Sequence, residues 1–267
     1  MNTGTKGSAA NPSAPPSKEN LLEDLTRLVW SRDVFWVLAV YAGVLLVMSA
    51  GLLLGPHTTM PPSGRSRMEG FALYASMLQI FVLTVFGTAQ GVRAAKPRPN
   101  GRTPLSNAQT SRPRNVVSRF FAAVYNVLLL PSVSFPFFFL TAQLGMIATE
   151  SLPVLLLTHA LSGIACASVG FAFAAWFPHG NVDVRATTLS FLWLLVPPVL
   201  YYLVLGGYAP NHPIRDVVLY ASPGTSVFLF KTGPISAVCV HVIAMLAVAV
   251  SMTGLAIWRL RRAEARP

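Results

Sequence analysis

An all-helical, polytopic membrane protein with six transmembrane helices is the fold class this sequence predicts, and three observations predict it. Of the 267 residues, 53% are hydrophobic and only 11% charged. The mean hydropathy is +0.56, too apolar a balance for a water-soluble domain. No Asp, Glu, Lys or Arg occurs in 34–64, 70–92, 120–149, 151–182, 186–214 or 232–258. A helix rises ~1.5 Å per residue, so about 20 residues cross a ~30 Å hydrocarbon core, and each interval holds one crossing. The segment between the second and third intervals, Arg93 to Arg119, carries seven basic residues and no acidic one. A soluble core of this size could not cover six such helices with so few polar residues.

The elements follow in order. Residues 1–19 are polar and rich in Pro, Ser and Gly, which predicts a disordered tail. They lack an apolar centre, so no cleavable signal peptide is expected and the first span doubles as the targeting signal. Residues 20–33 predict an amphipathic helix lying along the membrane surface. Asn20 and Glu23 have capping-box spacing, and Leu21, Leu22, Leu25, Leu28 and Val29 share one face. Trp30 and Trp36 bracket the turn into the membrane, as interfacial aromatics do. The six-span domain then occupies 34–258, with crossings near Val34–Leu54, Phe71–Val92, Phe120–Ala148, Leu152–Phe177, Thr188–Leu205 and Ile235–Trp258. Gly55–Met68 is a short loop, Thr149–Pro153 a tight turn, and Gly180-Asn181 suits the bend within Pro178–Arg185. Pro131 and Pro136 are expected to kink the third span, and Pro197-Pro198 the fifth. Gly206–Gly233 has an apolar centre around Pro223-Gly224 but is too broken to cross twice, and reads as a re-entrant segment before the last span. Residues 259–267 form a basic tail.

Orientation follows from the basic residues. With the N-terminus inside, the inner side holds Lys6, Lys18, Arg27, Arg32, the seven of 93–119, Arg185, Arg259, Arg261, Arg262 and Arg266. The outer side keeps Arg65, Arg67, Arg215 and Lys231. Both termini are therefore expected in the cytoplasm. The net charge of +11 is a topology signal and a complement to anionic lipid. It is scattered over loops without an aromatic platform, so nucleic acid is not an expected partner.

Catalytic motifs are missing. There is no phosphate-binding loop ending in Gly-Lys-Ser/Thr, no Gly-x-Ser-x-Gly elbow and no His-Glu-x-x-His helix, so no enzymatic activity is expected of this chain. The spans carry no carboxylate or ammonium group, which argues against an intramembrane acid relay and against an intramembrane protease. His159 and His241 lie at a common depth in the fourth and sixth spans. Two readings stand: a metal or proton site beneath Glu150, or a histidine that makes an interhelical hydrogen bond or faces a polar crevice, the second being the usual role of a buried polar side chain. Cys166 and Cys239 sit roughly ten helical positions, or ~15 Å, apart in depth, too far for a disulfide.

In order along the chain stand Gly101 with Thr103, Leu105 and Thr110, then Val116-Val117 and Ser118-Arg119. Pro131 and Pro136 follow, then Leu219-Tyr220-Ala221-Ser222-Pro223, and finally Trp258-Arg-Leu-Arg-Arg262. This order resembles the membrane permease subunit of type-2 ABC (ATP-binding cassette) exporters, over almost the whole chain from Leu21. One departure is that the family's Glu before the Gly is replaced here by Lys96-Pro-Arg98-Pro. That implies a different salt-bridge pattern at the ATPase contact, an unusual ATPase, or a degenerate subunit of a heteromeric complex.

The resemblance implies a subunit of the bacterial inner membrane, dimeric with a second copy or a paralogue. Separate cytoplasmic ATPase subunits would hold the ATP and Mg, with no cofactor in this chain. Leu25, Leu28, Arg98, Gly101, Arg102, Thr103, Leu105 and Arg112 would form the ATPase docking face, and Leu219, Ser222, Pro223 and Gly224 the outer gate. The cargo would be a lipid, a lipid-linked glycan, a drug or another amphipathic molecule. A non-transporting membrane anchor and a secondary carrier are the alternatives.

Overall fold

The computed structural model describes residues 31–54, 64–96, 112–143, 149–201, 220–227 and 235–264. Six long helices occupy them: α1 (Arg32–Leu54), α2 (Gly64–Ala95), α3 (Arg112–Gln143), α4 (Leu152–Trp176), α5 (Val182–Leu200) and α6 (Ile235–Glu264). All six are long and apolar enough to cross a membrane, and no strand occurs among the described residues. The chain is an all-helical, multi-pass membrane protein.

The helices outrun the charge-free intervals. α2 begins at Gly64, α3 at Arg112 and α5 at Val182, and α6 continues to Glu264, so several charged residues lie within helical ends. A helix satisfies its own backbone, so it has no reason to stop where the hydrocarbon does. The loop expected over Gly55–Met68 therefore ends before Gly64, and the bend expected over Pro178–Arg185 ends before Val182. Gly180 makes that bend with a φ of +81°, in the left-handed region that favours glycine. A short 3-10 turn at Thr149–Ser151 leads into α4, whose first turn holds Pro153. α3 continues through both Pro131 and Pro136. The tail 1–19, nearly all of the expected surface helix, and 202–219 lie outside the described residues.

α4 is the hub, touching α2, α3, α5 and α6. Its membrane window is 67% buried within the bundle, against 17% for α1. Small residues allow this: Gly163, Ala165, Cys166, Ala167, Ser168 and Gly170 form one run of α4, all of them buried. α2 and α4 make the most extensive pairing, and their backbones nearly touch. A Cβ placed on Gly91 would collide with the Ala167 carbonyl, and one on Gly170 with the Thr88 carbonyl; at Gly87 it would stand 2.9 Å from the Gly163 oxygen. Gly87 and Gly91 thus form a Gly-x-x-x-Gly contact against the small-residue face of α4. Around that seam Leu45, Ile80, Leu83, Val127, Leu130, Phe138 and Leu155 build the main apolar core. Phe120 and Phe171, with ring centroids 4.7 Å apart, anchor a second one.

Gly91→Ala and Gly170→Ala should each destabilise the bundle by ~1–3 kcal/mol through overpacking against backbone. Gly43→Ala on α1, where no atom lies within 4 Å, should leave stability unchanged. Thermal unfolding in detergent, followed by tryptophan fluorescence, separates the two classes.

Candidate functional site

The described part of the 220–233 region is a buried turn. Tyr220 to Val227 contains a 3-10 turn at Pro223–Thr225, and Ser222, Pro223, Thr225, Ser226 and Val227 are all buried. Ser222 holds it in place. Its hydroxyl accepts from the Gly224 amide at 3.2 Å and shares its proton between the Trp193 and Leu194 carbonyls of α5, both at 3.1 Å. Those two carbonyls are the ones that Pro197 and Pro198 leave open. A helical carbonyl is ordinarily met by the amide four residues on, and proline has none. The proline pair thus creates two acceptors, and one serine satisfies both. Trp193 closes the joint from the other side, its indole Nε1 donating to the Ala221 carbonyl at 2.8 Å. Gly224 stands close enough to α5 that a Cβ there would lie 3.0 Å from the Leu194 oxygen.

On α6, His241 donates from Nδ1 to the Tyr220 carbonyl at 2.9 Å, and its Nε2 faces the Ser162 hydroxyl of α4 at 3.4 Å. The turn thus packs on α5, with α2 and α4 beside it, and the Tyr220 carbonyl ties it to α6.

A buried polar chain runs from the other histidine. Ser134 donates to the Pro131 carbonyl at 2.9 Å, so its oxygen accepts from Gln79 Nε2 at 2.8 Å. That fixes the amide with Oε1 toward His159, whose Nδ1 donates to it at 2.7 Å. His159 Nε2 and the Ser76 hydroxyl, both buried, have no hydrogen-bond partner among the described residues. His159 thus makes an interhelical hydrogen bond, to Gln79 of α2, whereas His241 bonds the backbone of the turn. No group of three or more metal-ligating side chains occurs among the described residues, and Glu150 is exposed in its turn. Further along the α2–α4 seam, Thr88 donates to Ser190 of α5 at 2.8 Å and Asn126 to Gln90 at 3.3 Å. Cys166 is buried, Cys239 is exposed, and both are free thiols.

The opposite end of the bundle is ionic. Asp33, in the first turn of α1, pairs with Arg93 in the last turn of α2 at 3.1 Å. Asp183, in the first turn of α5, pairs with Lys96. Arg119 of α3 donates to the Arg93 carbonyl at 2.6 Å and to the Lys96 carbonyl, capping α2. Acids at helix starts and cations at a helix end both follow the helix dipole. Trp176 and Trp258 close the same end, 6.2 Å apart, with Arg259 over the Trp176 ring and Arg262 over the Trp258 ring.

Of the expected docking residues, Arg112 opens α3. Leu25, Leu28, Arg98, Gly101, Arg102, Thr103 and Leu105 lie outside the described residues, as does Leu219 of the expected gate. Ser222, Pro223 and Gly224 are together in the buried turn, and His241 joins them through Tyr220, whereas His159 belongs to the Gln79 chain. Sequence reasoning missed Trp193, Gln79 and the Asp33–Arg93 pair. A serine lying beyond a Pro-Pro pair was the signal available for the first. Comparison with known protein families, with curated proteins and with solved structures finds no match to this chain.

Ser222→Ala should lower stability by ~1–3 kcal/mol, because two buried carbonyls lose their donor. In a Pro197→Ala, Pro198→Ala background the restored amides meet those carbonyls, and the same serine substitution should change the unfolding midpoint far less.

Proposed function

We propose that this chain is the membrane-embedded permease subunit of an ATP-binding cassette exporter. It acts in the bacterial inner membrane with a second copy or a paralogue, driven by separate cytoplasmic ATPase subunits. The observation that carries the reading is the Ser222-Pro223-Gly224 turn, buried against α5 by Ser222 and tied to α6 through the Tyr220 carbonyl. It falls on the stretch that resembles the family's Leu-x-Ser-Pro motif, where a re-entrant segment closes the outer mouth. The ionic end then faces the cytoplasm, in keeping with the excess of Lys and Arg on that side.

The surface helix 20–33, with Leu25 and Leu28, and the 93–119 loop form the docking face. Arg98, Arg102, Thr103 and Arg112 make the ATPase contacts. Movement of that loop reaches the bundle through Lys96 and Arg119, which tie its two ends to α5 and to α2. The membrane interior offers no carboxylate relay for an ion gradient, so the driving force comes from the partner. The apolar spans suit a lipid, a lipid-linked glycan or a hydrophobic drug moving outward.

Arg98→Glu with Arg102→Glu should reduce co-purification of an ATPase encoded in the adjacent reading frame several-fold, and unchanged yield would remove the docking assignment. A complex that forms but shows no ATP-dependent flux of a fluorescent lipid in proteoliposomes would favour the anchor reading. Topology has its own check. Ser106→Cys in a Cys239→Ser chain should react with a membrane-impermeant maleimide only after the cells are permeabilised, and reaction in intact cells would overturn the orientation.

A further inference from the structure

A groove of about 290 Å³ runs between α1 and α2, and neither the docking face nor the outer turn uses it. Its walls are mostly apolar, made by Val37 of α1 with Phe81, Val82, Val85, Phe86 and Ala89 of α2, and Gln90 adds one uncharged polar side chain near the charged end. Asp33 and Arg93 close it at the ionic end of the bundle. From residue 81 to residue 93 the helix rises ~18 Å, a little over half of a ~30 Å hydrocarbon core. The groove is therefore as deep as one leaflet, with its charged end at headgroup level. Phe81, at its inner limit, is about half exposed, so the groove is open to the bilayer. Water there would find little to bond to, and a hydrocarbon chain fills it without loss.

The charged end selects the headgroup. Asp33 and Arg93 are 3.1 Å apart, with side chains 66% and 52% exposed, so each can hold a further partner. A guanidinium has five N–H donors and a carboxylate about four lone-pair sites, more than one contact uses. Of the nearby cations, Lys96 pairs with Asp183, and Arg119 donates to the Arg93 and Lys96 carbonyls. Among the residues that line the groove, the mouth presents one acid, Asp33, and one base, Arg93. A phosphate suits the guanidinium, and a primary ammonium suits the carboxylate. Choline offers no N–H donor, and phosphoglycerol brings an anion with no cation for Asp33.

We propose that this groove binds one phosphatidylethanolamine, with an acyl chain along α2, its phosphate on Arg93 and its ammonium on Asp33. The site requires a bilayer around α1 and α2 and no ATPase, so it goes beyond the transport reading.

Native mass spectrometry of the delipidated full chain tests this, with phosphatidylethanolamine, phosphatidylcholine and phosphatidylglycerol of identical acyl chains at equal concentration. One phosphatidylethanolamine should be retained about fivefold over each of the others, as one additional charge-assisted hydrogen bond gives. Asp33→Asn should bring its retention down to that of phosphatidylcholine, and Arg93→Gln should lower all three. Ala89→Phe fills the groove without touching the charged pair and should also lower all three. Equal retention of the three lipids, preference for phosphatidylglycerol, or unchanged retention in Ala89→Phe would overturn the proposal. Should a charge variant fail to fold, the headgroup comparison and Ala89→Phe still decide the matter. None of these outcomes bears on ATPase coupling, so failure here leaves the transport reading standing.

Discussion

Backbone-to-backbone contact between α2 and α4 is the constraint on which the rest of this bundle depends. Lipid tails are as apolar as leucine, so helices inside a bilayer gain little from hiding hydrophobic side chains from one another. What holds them is close packing, and Gly87, Gly91 and Gly170 permit an approach that any side chain would block. That approach sets the spacing for the polar contacts flanking the seam. Gln79 of α2 reaches His159 of α4 only because the two helices lie this close. Many other large side chains are turned outward: Leu46 and Val47 on α1, Leu192 and Leu195 on α5, and Ile243 and Val250 on α6 are exposed to where lipid would lie.

Polar groups in the interior obey the same economy. Ser134, Gln79 and His159 form a directed chain whose donors and acceptors alternate, which fixes the amide and the imidazole in one arrangement. The proline pair of α5 works in the opposite sense: it removes two amides and so opens acceptors for a different segment of chain. At the ionic end, Asp33, Arg93, Lys96, Arg119 and Asp183 join the ends of four helices. Single ion pairs this exposed contribute little to stability. Their value lies in fixing how α1, α2, α3 and α5 meet, just where the cationic loop begins and ends.

The six spans were legible because charge is so costly in hydrocarbon that its absence marks each crossing. The Gly180 bend was legible because a positive φ is so nearly reserved for glycine. Helix ends were not, since Arg65, Arg112 and Asp183 extend helices whose apolar signal has already stopped. The common depth of His159 and His241 could be counted along their spans. Their partners could not, because Gln79 and the Tyr220 carbonyl are separated from them by 80 and 21 residues. The glycine seam lay open in the sequence as Gly87-x-x-x-Gly91 and went unread, because nothing in one chain says which helix a glycine faces. Ser222 stood out as part of a motif, but its contact with α5 needed the fold.

The two carbonyls opened by Pro197 and Pro198 bear on how the protein is made. Leu194 leaves the ribosome 28 residues before Ser222, so throughout that interval α5 holds two acceptors whose donor has not yet been synthesised. A nascent helix in that state is poorly suited to plain lipid, where an unmet carbonyl has no water to turn to. The fifth span is therefore a late entrant, held beside the insertion machinery until the turn that follows it delivers its serine.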